Sequence, residues 1–457
     1  MRNQNENTFA DLDWTMVVIY FLLVGLGVMN IYSSVYDPEH PSLFDQVTQH
    51  GKQITWIGVS LFLGVAIMFL ETSFIKKYAY WFYWITIILL IAVLFMPAVK
   101  GARAWFGVGS FGIQPAEFAK IGVSLALAKY LSSGDLHKGK SRSASVSFWQ
   151  SIGLLRNIGP VFALLLIPAT LILMQPDAGT FIIFTSFILV LYREGYAGNI
   201  LLFMIIAVII AVITLIVADY SFMIPGLKIK LSGKTGIVIS LLILGTVFYF
   251  LIRSFILPRN RPPLYRALIG SLIVAIVFVN FIEIGYSKIL MSHQKERIDL
   301  VLGKIDDPDG KGYNINRAKA SIGSGGFFGK GYMKATLANE TQAHVPMQST
   351  DFIFCTWSEE RGFIGSFFLV IVYTVLLLKM IIIAERQRAD FTRIFAYCVT
   401  GIFFYHFMIN IGMAIGLAPV IGIPLPFFSY GGSSVMSFSI LYFILLKLDA
   451  ERKVVLQ

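Results

Sequence analysis

The chain has little of what many enzyme sites are built from. It carries only two cysteines, Cys355 and Cys398, both inside apolar stretches, so neither a disulfide framework nor a C-x-x-C metal or redox site is on offer. Six scattered histidines form no H-E-x-x-H or comparable ligand pair, which speaks against a zinc enzyme. Charge is scarce too: Asp, Glu, Lys and Arg make up 14% of the residues, far below the share in a soluble domain. The formal net charge is +11, but the basic residues are spread over short connections and form no single aromatic-laced patch. No nucleic-acid partner is expected. Internal repeats are not evident, which weakly disfavours transporters built from two matching halves.

What is abundant is apolar surface. Hydrophobic residues make up 56% of the 457 and the mean hydropathy is +0.74, so the chain reads as an all-α polytopic membrane protein, a single integral membrane domain over 1–457. Twelve spans are expected: Trp14 to Ser34, Ile54 to Leu70, Tyr78 to Met96, Gln114 to Leu131, Ile158 to Met174, Ala178 to Tyr192, Asn199 to Val217, Gly236 to Ile256, Leu268 to Ile289, Phe352 to Lys379, Phe391 to Leu417 and Pro424 to Lys447. Most of these are long enough to cross roughly 30 Å of hydrocarbon at about 1.5 Å per residue. The first is too long for a signal-peptide core and no small-residue cleavage site follows it, so it should stay as an anchor, and the mature protein should be the whole chain.

Lys76 and Lys77, then Lys138, Lys140, Arg142 and Arg156, then Arg253, Arg259, Arg261 and Arg266, then Arg386 and Arg388, then Arg452 and Lys453 all fall on one side of this topology. The charge bias makes that side cytoplasmic, with both termini inside. The segment 219–235 is an exception, with Lys228, Lys230 and Lys234 on the expected outer face; a surface hairpin is the simplest account of it.

The long polar segment Leu290 to Thr350, between the ninth and tenth spans, is then extracytoplasmic. Long connections of this kind tend to carry function. Its carboxylates, basic groups and glycines are the ingredients of a reaction centre. The glycine run fails the phosphate-loop test G-x-x-x-x-G-K-[ST], because Lys330 is followed by Gly331, and it faces a compartment without nucleoside triphosphates. Its glycines either permit close turns near a bulky substrate or only shape the loop.

Charges inside spans cost roughly 2.5 to 3.5 kcal/mol each on insertion scales, so they mark a function or a partnered interior. Glu117 and Lys120 lie three apart in Q-P-A-E-F-A-K on one helix face. They read either as a self-satisfied pair that holds helices together or as the wall of a polar cavity where Lys120 attracts an anion such as a pyrophosphate. Pro115 suits the first turn of that helix. Asp177, in Q-P-D-A-G-T, is placed to cap the next helix or to touch substrate. Glu359, Glu360 and Arg361 are consecutive, so they cannot share one face, and at least one must find a partner helix or polar cavity.

Taken together, several motifs in order resemble the SEDS family (shape, elongation, division and sporulation proteins), nearer to its RodA branch than to its FtsW branch. They are K-G-A-R-A-W-F at Lys100 to Phe106, Q-P-A-E-F-A-K at Gln114 to Lys120, Q-P-D-A-G-T at Gln175 to Thr180, D-P-x-G-x-G-Y from Asp307 to Tyr313, I-G-S-G-G-x-x-G-K-G at Ile322 to Gly331, T-D-F-I-F at Thr350 to Phe354, and N-I-G-M through F-F-S-Y-G-G-S-S from Asn410 to Ser434. The resemblance implies a peptidoglycan glycosyltransferase in the bacterial cytoplasmic membrane. It would polymerise lipid II, the undecaprenyl-pyrophosphate-linked disaccharide pentapeptide, at the outer face for cell elongation and shape, beside a class B penicillin-binding transpeptidase. By motif, the family's key aspartate falls on Asp307, as general base or an equivalent essential carboxylate. Asp306 and Asp309 would raise its pKa by like-charge repulsion, or join it in holding a divalent cation, Mg or Mn. Arg297, in the Q-x-x-R-I pattern, with Arg103, Lys120 and Lys330, would bind the diphosphate and headgroup beside Glu117 and Asp177. Tyr430, Gly431 and Gly432 would shape or line the cavity.

The chain departs from its ten-span relatives by an extra helix pair within 219–289, and from RodA-like patterns at Arg317-Ala318, Val345-Pro346-Met347 and Arg361-Gly362. Two other readings stay open: a lipid II flippase, using Glu117 and Lys120 as a headgroup path, and a noncatalytic scaffold for a transpeptidase. Polar residues gather in the outer half, at Glu117, Lys120, Asp177, Glu283, Glu359 and Glu360. That distribution favours an enzyme open to the outside over a full-depth path.

Overall fold

The computed structural model describes residues 11–37, 39–40, 42–97, 103–108, 111–133, 148–195, 200–217, 221–223, 230–289, 295, 299, 304, 313–337 and 348–452. The chain divides into two compact units, Met1–Tyr196 with Tyr313–Gln457, and Ala197–Gly312.

The first unit is built from α1 (Trp14–Ser34), α2 (Gln49–Phe69), α3 (Thr72–Val93), α4 (Pro115–Ser132), α5 (Phe148–Met174), the short α6 (Ala178–Phe184) and α7 (Phe187–Arg193), then α11 (Tyr313–Ser324), α12 (Ile353–Arg386), α13 (Asp390–Ala414) and α14 (Gly432–Ala450). A small antiparallel hairpin, β1 (Phe106–Val108) and β2 (Phe111–Ile113), precedes α4, with Phe106 opposite Ile113 and Val108 opposite Phe111. Helix starts follow local chemistry: the Thr48 hydroxyl accepts from the Gly51 amide at the start of α2, and Pro115 occupies the first turn of α4, where its missing N–H costs nothing.

Burial is graded across this unit. The α14 span is 83% buried and the α13 span 67%, against 22% for α2. The centre is therefore α4, α13 and α14, and α2 and α3 present apolar faces outward. At one end of the unit Arg386 pairs with Asp13 at 3.0 Å and with Asp449, while Arg393 reaches Glu194 at 3.0 Å. These pairs bring the start of α1, the end of α12, the start of α13 and the end of α14 together. The opposite end carries Ser33, Asp177, Glu359 and Glu360.

The second unit contains α8 (Ile200–Val217), a hairpin of β3 (Ser221–Met223) with β4 (Lys230–Ser232), α9 (Gly233–Phe255) and α10 (Arg261–Ile284). The hairpin expected over 219–235 is present, with Met223 opposite Lys230. Lys234, one of its three unexplained lysines, pairs with Glu283 of α10 at 2.5 Å. Lys228 lies outside the described residues.

Among the described residues, eight helices are long and apolar enough to cross a membrane: α1, α2, α3, α9, α10 with its flanks, α12, α13 and α14. The other four expected spans are helical but differ. α4 carries Glu117, Lys120 and Lys129. The span expected over Ala178 to Tyr192 is two seven-residue helices separated at Thr185 and Ser186. The last helix begins at Gly432 and not at Pro424, because Pro424 and Pro426 supply no amide hydrogens and the 424–431 backbone is irregular.

Candidate functional site

α12 is broken near its start. Gly362 has φ 63° and ψ −159°, a conformation essentially reserved for glycine. The break frees the carbonyls of Glu359 and Glu360 and the amides of Phe363 and Ile364, and the glycine-rich segment after α11 satisfies all four. The Lys330 and Gly331 amides donate to the Glu359 and Glu360 carbonyls at 3.0 and 2.9 Å; Phe363 and Ile364 donate to the carbonyls of Gly326 and Phe327 at 2.9 and 3.2 Å. The approach leaves no room for side chains. A Cβ on Gly362 would lie 2.7 Å from the Phe327 carbonyl oxygen, and Gly329, at φ 83°, rests directly against the Glu360 carbonyl. The glycine run therefore serves the fold of its own loop.

The same segment saturates two buried carboxylates. Glu359 accepts from Lys330 Nζ at 2.5 Å, Ser321 Oγ at 3.0 Å, the Thr336 and Leu337 amides at 2.9 and 3.0 Å, and Thr336 Oγ1 at 3.2 Å. Glu360 accepts from the Met333 amide at 2.9 Å, Arg361 Nη1 at 3.0 Å, and Ser33 Oγ of α1. The Arg361 guanidinium lies over the Trp357 ring, 3.9 Å from its centroid, and borders an open groove of about 540 Å³ lined also by Phe328, Tyr332, Ile364 and Phe368. Burial, then the Glu360 carboxylate, pushes the Tyr332 hydroxyl above its ordinary range. It stays a donor, to the Met29 carbonyl at 3.1 Å.

α11 docks here through Ser321, and the segment before it is the D-P-x-G-x-G-Y block, which enters α11 at Tyr313. Asp306, Asp307, Asp309 and Arg297 lie outside the described residues.

A second network joins the T-D-F-I-F and F-F-S-Y-G-G-S-S motifs. Ser429 Oγ donates to the Thr350 carbonyl at 2.6 Å, the Tyr430 amide to the Ser349 carbonyl at 2.8 Å, and Asn410 Nδ2 to the carbonyls of Asp351 and Ile423 at 2.9 and 2.7 Å. Gln53 of α2 bridges the Ser429 carbonyl and the Gly431 amide at 3.3 and 3.1 Å. Ser433 links the Gln114 amide to the Gly112 carbonyl, both at 3.1 Å. Asp177 caps α6 as expected of the capping reading: it accepts from the Thr180 amide at 2.9 Å and hydroxyl at 2.8 Å, and also from Gln114 Nε2 at 2.7 Å. Four of the family motifs thus meet at one end of the bundle and make its rim.

Glu117 and Lys120 sit deeper. Lys120 is 0% exposed; its Nζ lies 2.8 Å from Glu117 Oε2, 3.0 Å from His406 Nε2 and 4.6 Å from the Phe438 ring centroid. His406 in turn reaches the Pro424 carbonyl through Nδ1 at 3.0 Å, so it donates there as neutral imidazole and accepts from the lysine. In this structure the ammonium faces a carboxylate and an imidazole inside a closed core, not an open anion cavity. Among the residues expected to bind substrate, Glu117, Lys120, Asp177 and Lys330 therefore have internal partners. Arg103 is exposed, its described hydrogen bond being to the Leu94 carbonyl at 3.5 Å. Residues outside every motif read from the sequence are His406, Gln53 and Ser321. His406 is 286 residues from Lys120, and no local pattern announces such a contact.

Comparison with known proteins bears on this arrangement. The family model of the cell cycle proteins FtsW, RodA and SpoVE matches residues 13–229 and 232–454. The chain is 29% identical to the peptidoglycan glycosyltransferase RodA of Treponema pallidum, over 97% of this chain and 98% of that protein. It is 28% identical to the peptidoglycan glycosyltransferase MrdB of Escherichia coli, over 99% and 98%. Its fold is similar to that of a chain in a solved peptidoglycan synthase complex that coordinates polymerization and crosslinking, with a TM-score of 0.61 at 23% identity, covering 96% of this chain and 98% of that one. With a match that runs nearly end to end and takes in every motif of the rim, the chain belongs to the FtsW, RodA and SpoVE family of cell cycle proteins.

Proposed function

We infer that this protein is a peptidoglycan glycosyltransferase of cell elongation, acting on lipid II at the outer face of the bacterial cytoplasmic membrane. The observation that carries the reading is full-length similarity to proteins named as that enzyme. In this reading twelve helices cross the membrane, both termini are cytoplasmic, and the loop 290–350 is extracytoplasmic. The pair α9 and α10 is an insertion relative to ten-span relatives. A class B penicillin-binding transpeptidase works beside it, in keeping with the fold's similarity to a chain of a peptidoglycan synthase complex.

The transfer needs a base for the acceptor sugar hydroxyl and positive charge for the departing diphosphate. A base must present a lone pair to the acceptor. Glu359 already meets five donors, and Glu360 and Asp177 meet three each, so these three hold the rim in shape. Asp307 is the carboxylate to which we assign the reactive role, with Asp306 and Asp309 adjusting its basicity or sharing a Mg or Mn ion with it, and with Arg297 and Arg103 at the diphosphate. The contacts of Ser321 and Lys330 with Glu359 anchor α11, whose first residue, Tyr313, ends the Asp307 motif in the sequence.

Polymerisation of purified lipid II by the full chain in liposomes, with and without the transpeptidase, tests this. Native protein should make long glycan strands and a folded Asp307→Ala variant none. Absence of polymer from the native chain even with its partner, together with movement of lipid II across the bilayer, would replace the enzyme with a flippase.

A further inference from the structure

The α9–α10 hairpin has two dissimilar ends. Where α9 begins and α10 finishes, Lys234 and Glu283 neutralise each other at 2.5 Å. At the other end, α9 closes with Arg253, a short 3₁₀ turn spans Pro258–Asn260, and α10 opens at Arg261. Arg253, Arg259, Arg261 and Arg266 fall within fourteen residues, and no acidic residue occurs between Asp219 and Glu283. Among the described residues Arg253, Arg259 and Arg266 make no ion pair, and all three are exposed. With helices of 23 and 24 residues, the two ends stand roughly 30 Å apart at about 1.5 Å per residue, so a hairpin that crosses the membrane holds its arginine end in a headgroup layer.

The orienting effect of positive charge accounts for basic residues in such a turn, but three further features are outside it. First, the turn is fixed: Arg261 Nε donates to the Ile256 carbonyl at 2.7 Å, the Asn260 amide donates to the Leu257 carbonyl at 2.9 Å, and prolines stand at 258, 262 and 263. Second, the four basic residues are all arginine, whose planar fork binds a phosphate through two parallel hydrogen bonds, where lysine offers a point charge. Third, Phe255 and Leu257 stand 81% and 73% exposed beside them, an apolar wedge suited to the top of the acyl chains. The Tyr249 and Tyr265 rings, stacked with centroids 4.9 Å apart, stand one turn from Arg253 and beside Arg266, a level where aromatic residues favour the membrane interface.

We propose that the α9–α10 turn is a binding site for an anionic phospholipid, whose phosphate is held by Arg253, Arg259 and Arg266 while Phe255 and Leu257 enter its acyl layer. The site is on α9 and α10, within the second compact unit, and it stands apart from the glycosyltransferase reading.

The test uses the full chain in detergent, titrated with phosphatidylglycerol or phosphatidylcholine and read by native mass spectrometry as retained lipid. Phosphatidylglycerol should be retained preferentially. At roughly fivefold per basic residue near an anionic surface, the triple change R253Q/R259Q/R266Q should weaken its binding on the order of a hundredfold. R253K/R259K/R266K should fall between that variant and the native chain. Thermal unfolding in phosphatidylcholine checks that the variants are folded; if the triple glutamine variant is not, Arg259→Gln alone, in the exposed turn, should still lose about fivefold. Native affinity in the glutamine variants would overturn the proposal. So would an equal loss in K76Q/K77Q, which removes two basic residues near the start of α3.

Discussion

Replacing Lys120 by methionine separates the two readings of the buried pair. Lys120 and Glu117 are 0% and 6% exposed at their side chains and 2.8 Å apart. Removing one partner of such a pair leaves a buried, uncompensated charge, at a cost of about 3 to 5 kcal/mol. Lys120→Met also strips His406 Nε2 of its donor, adding roughly 1 to 3 kcal/mol for an unsatisfied buried acceptor. The double variant Glu117→Met with Lys120→Met removes both charges and fills the space with apolar side chains of similar length. That exchange is often near neutral, so it should recover most of the loss and leave only the His406 term of about 1 to 3 kcal/mol. Reversible unfolding in mixed micelles for the native chain, both single variants and the double variant gives the coupling directly. With the pair acting as a helix fastener, Lys120→Met is strongly destabilised and the double variant regains stability. A Lys120→Met protein as stable as the native chain that nevertheless fails to polymerise lipid II would refute that role, and would put the ammonium in contact with substrate.

Other perturbations test the rim and the loops. Gly362→Ala should lower stability by about 1 to 3 kcal/mol from backbone strain alone, with faster hydrogen exchange over 325–337 because the added Cβ displaces Phe327; unchanged exchange there would argue against the crossing of loop and helix. Glu359→Gln keeps the shape but removes the carboxylate charge that faces Lys330, costing roughly 1.5 to 3 kcal/mol for a charge-assisted contact, read in the same exchange experiment. At the exposed loop before α2, the Val47 amide and then His40 hold the Asp45 carboxyl below its usual range. A group whose folded pKa is depressed supports structure above its unfolded pKa and loses that support as pH falls through the folded value. Exchange of residues 42–48 should therefore rise on acidification below the ordinary carboxylate range, and Asp45→Asn should abolish the pH dependence.

Much of this architecture was legible because its causes are local. Pro115 at a helix start and Asp177 as a cap follow from rules that span one turn, and apolar length alone located α1, α9 and α13. The failures have equally specific causes. The break at Thr185 and Ser186 contains neither glycine nor proline, so nothing in composition marks it. The last span was placed too early because Leu425, Phe427 and Phe428 keep the hydropathy high through a segment that is not helical. That backbone is tolerated because distant side chains satisfy it: Tyr373 donates to the Pro426 carbonyl at 2.6 Å, Asn410 to the Ile423 carbonyl at 2.7 Å, and Ser429 Oγ accepts from the Leu425 amide at 2.9 Å. Irregular backbone within an apolar layer persists only where protein groups replace water in this way.

The same requirement explains why so many buried ionisable groups of this chain have internal partners. A charge buried among helices is retained only with partners, so Glu359 gathers five donors, and Lys120 gathers a carboxylate, an imidazole and an aromatic face. Several of these partners come from other elements, so Glu359 fastens α12 to α11 through Ser321, Glu360 fastens it to α1 through Ser33, and Lys120 fastens α4 to α13 and α14 through His406 and Phe438. A reactive group has the opposite need: a lone pair or a proton left over for the substrate. Intramembrane charge is therefore a guide to where the rim is, but it does not identify the residue that reacts. Among the described residues, Glu359 of α12 holds α11 through Ser321. Under the function proposed above, the reacting role is assigned to Asp307, in the polar segment that precedes α11 in the sequence.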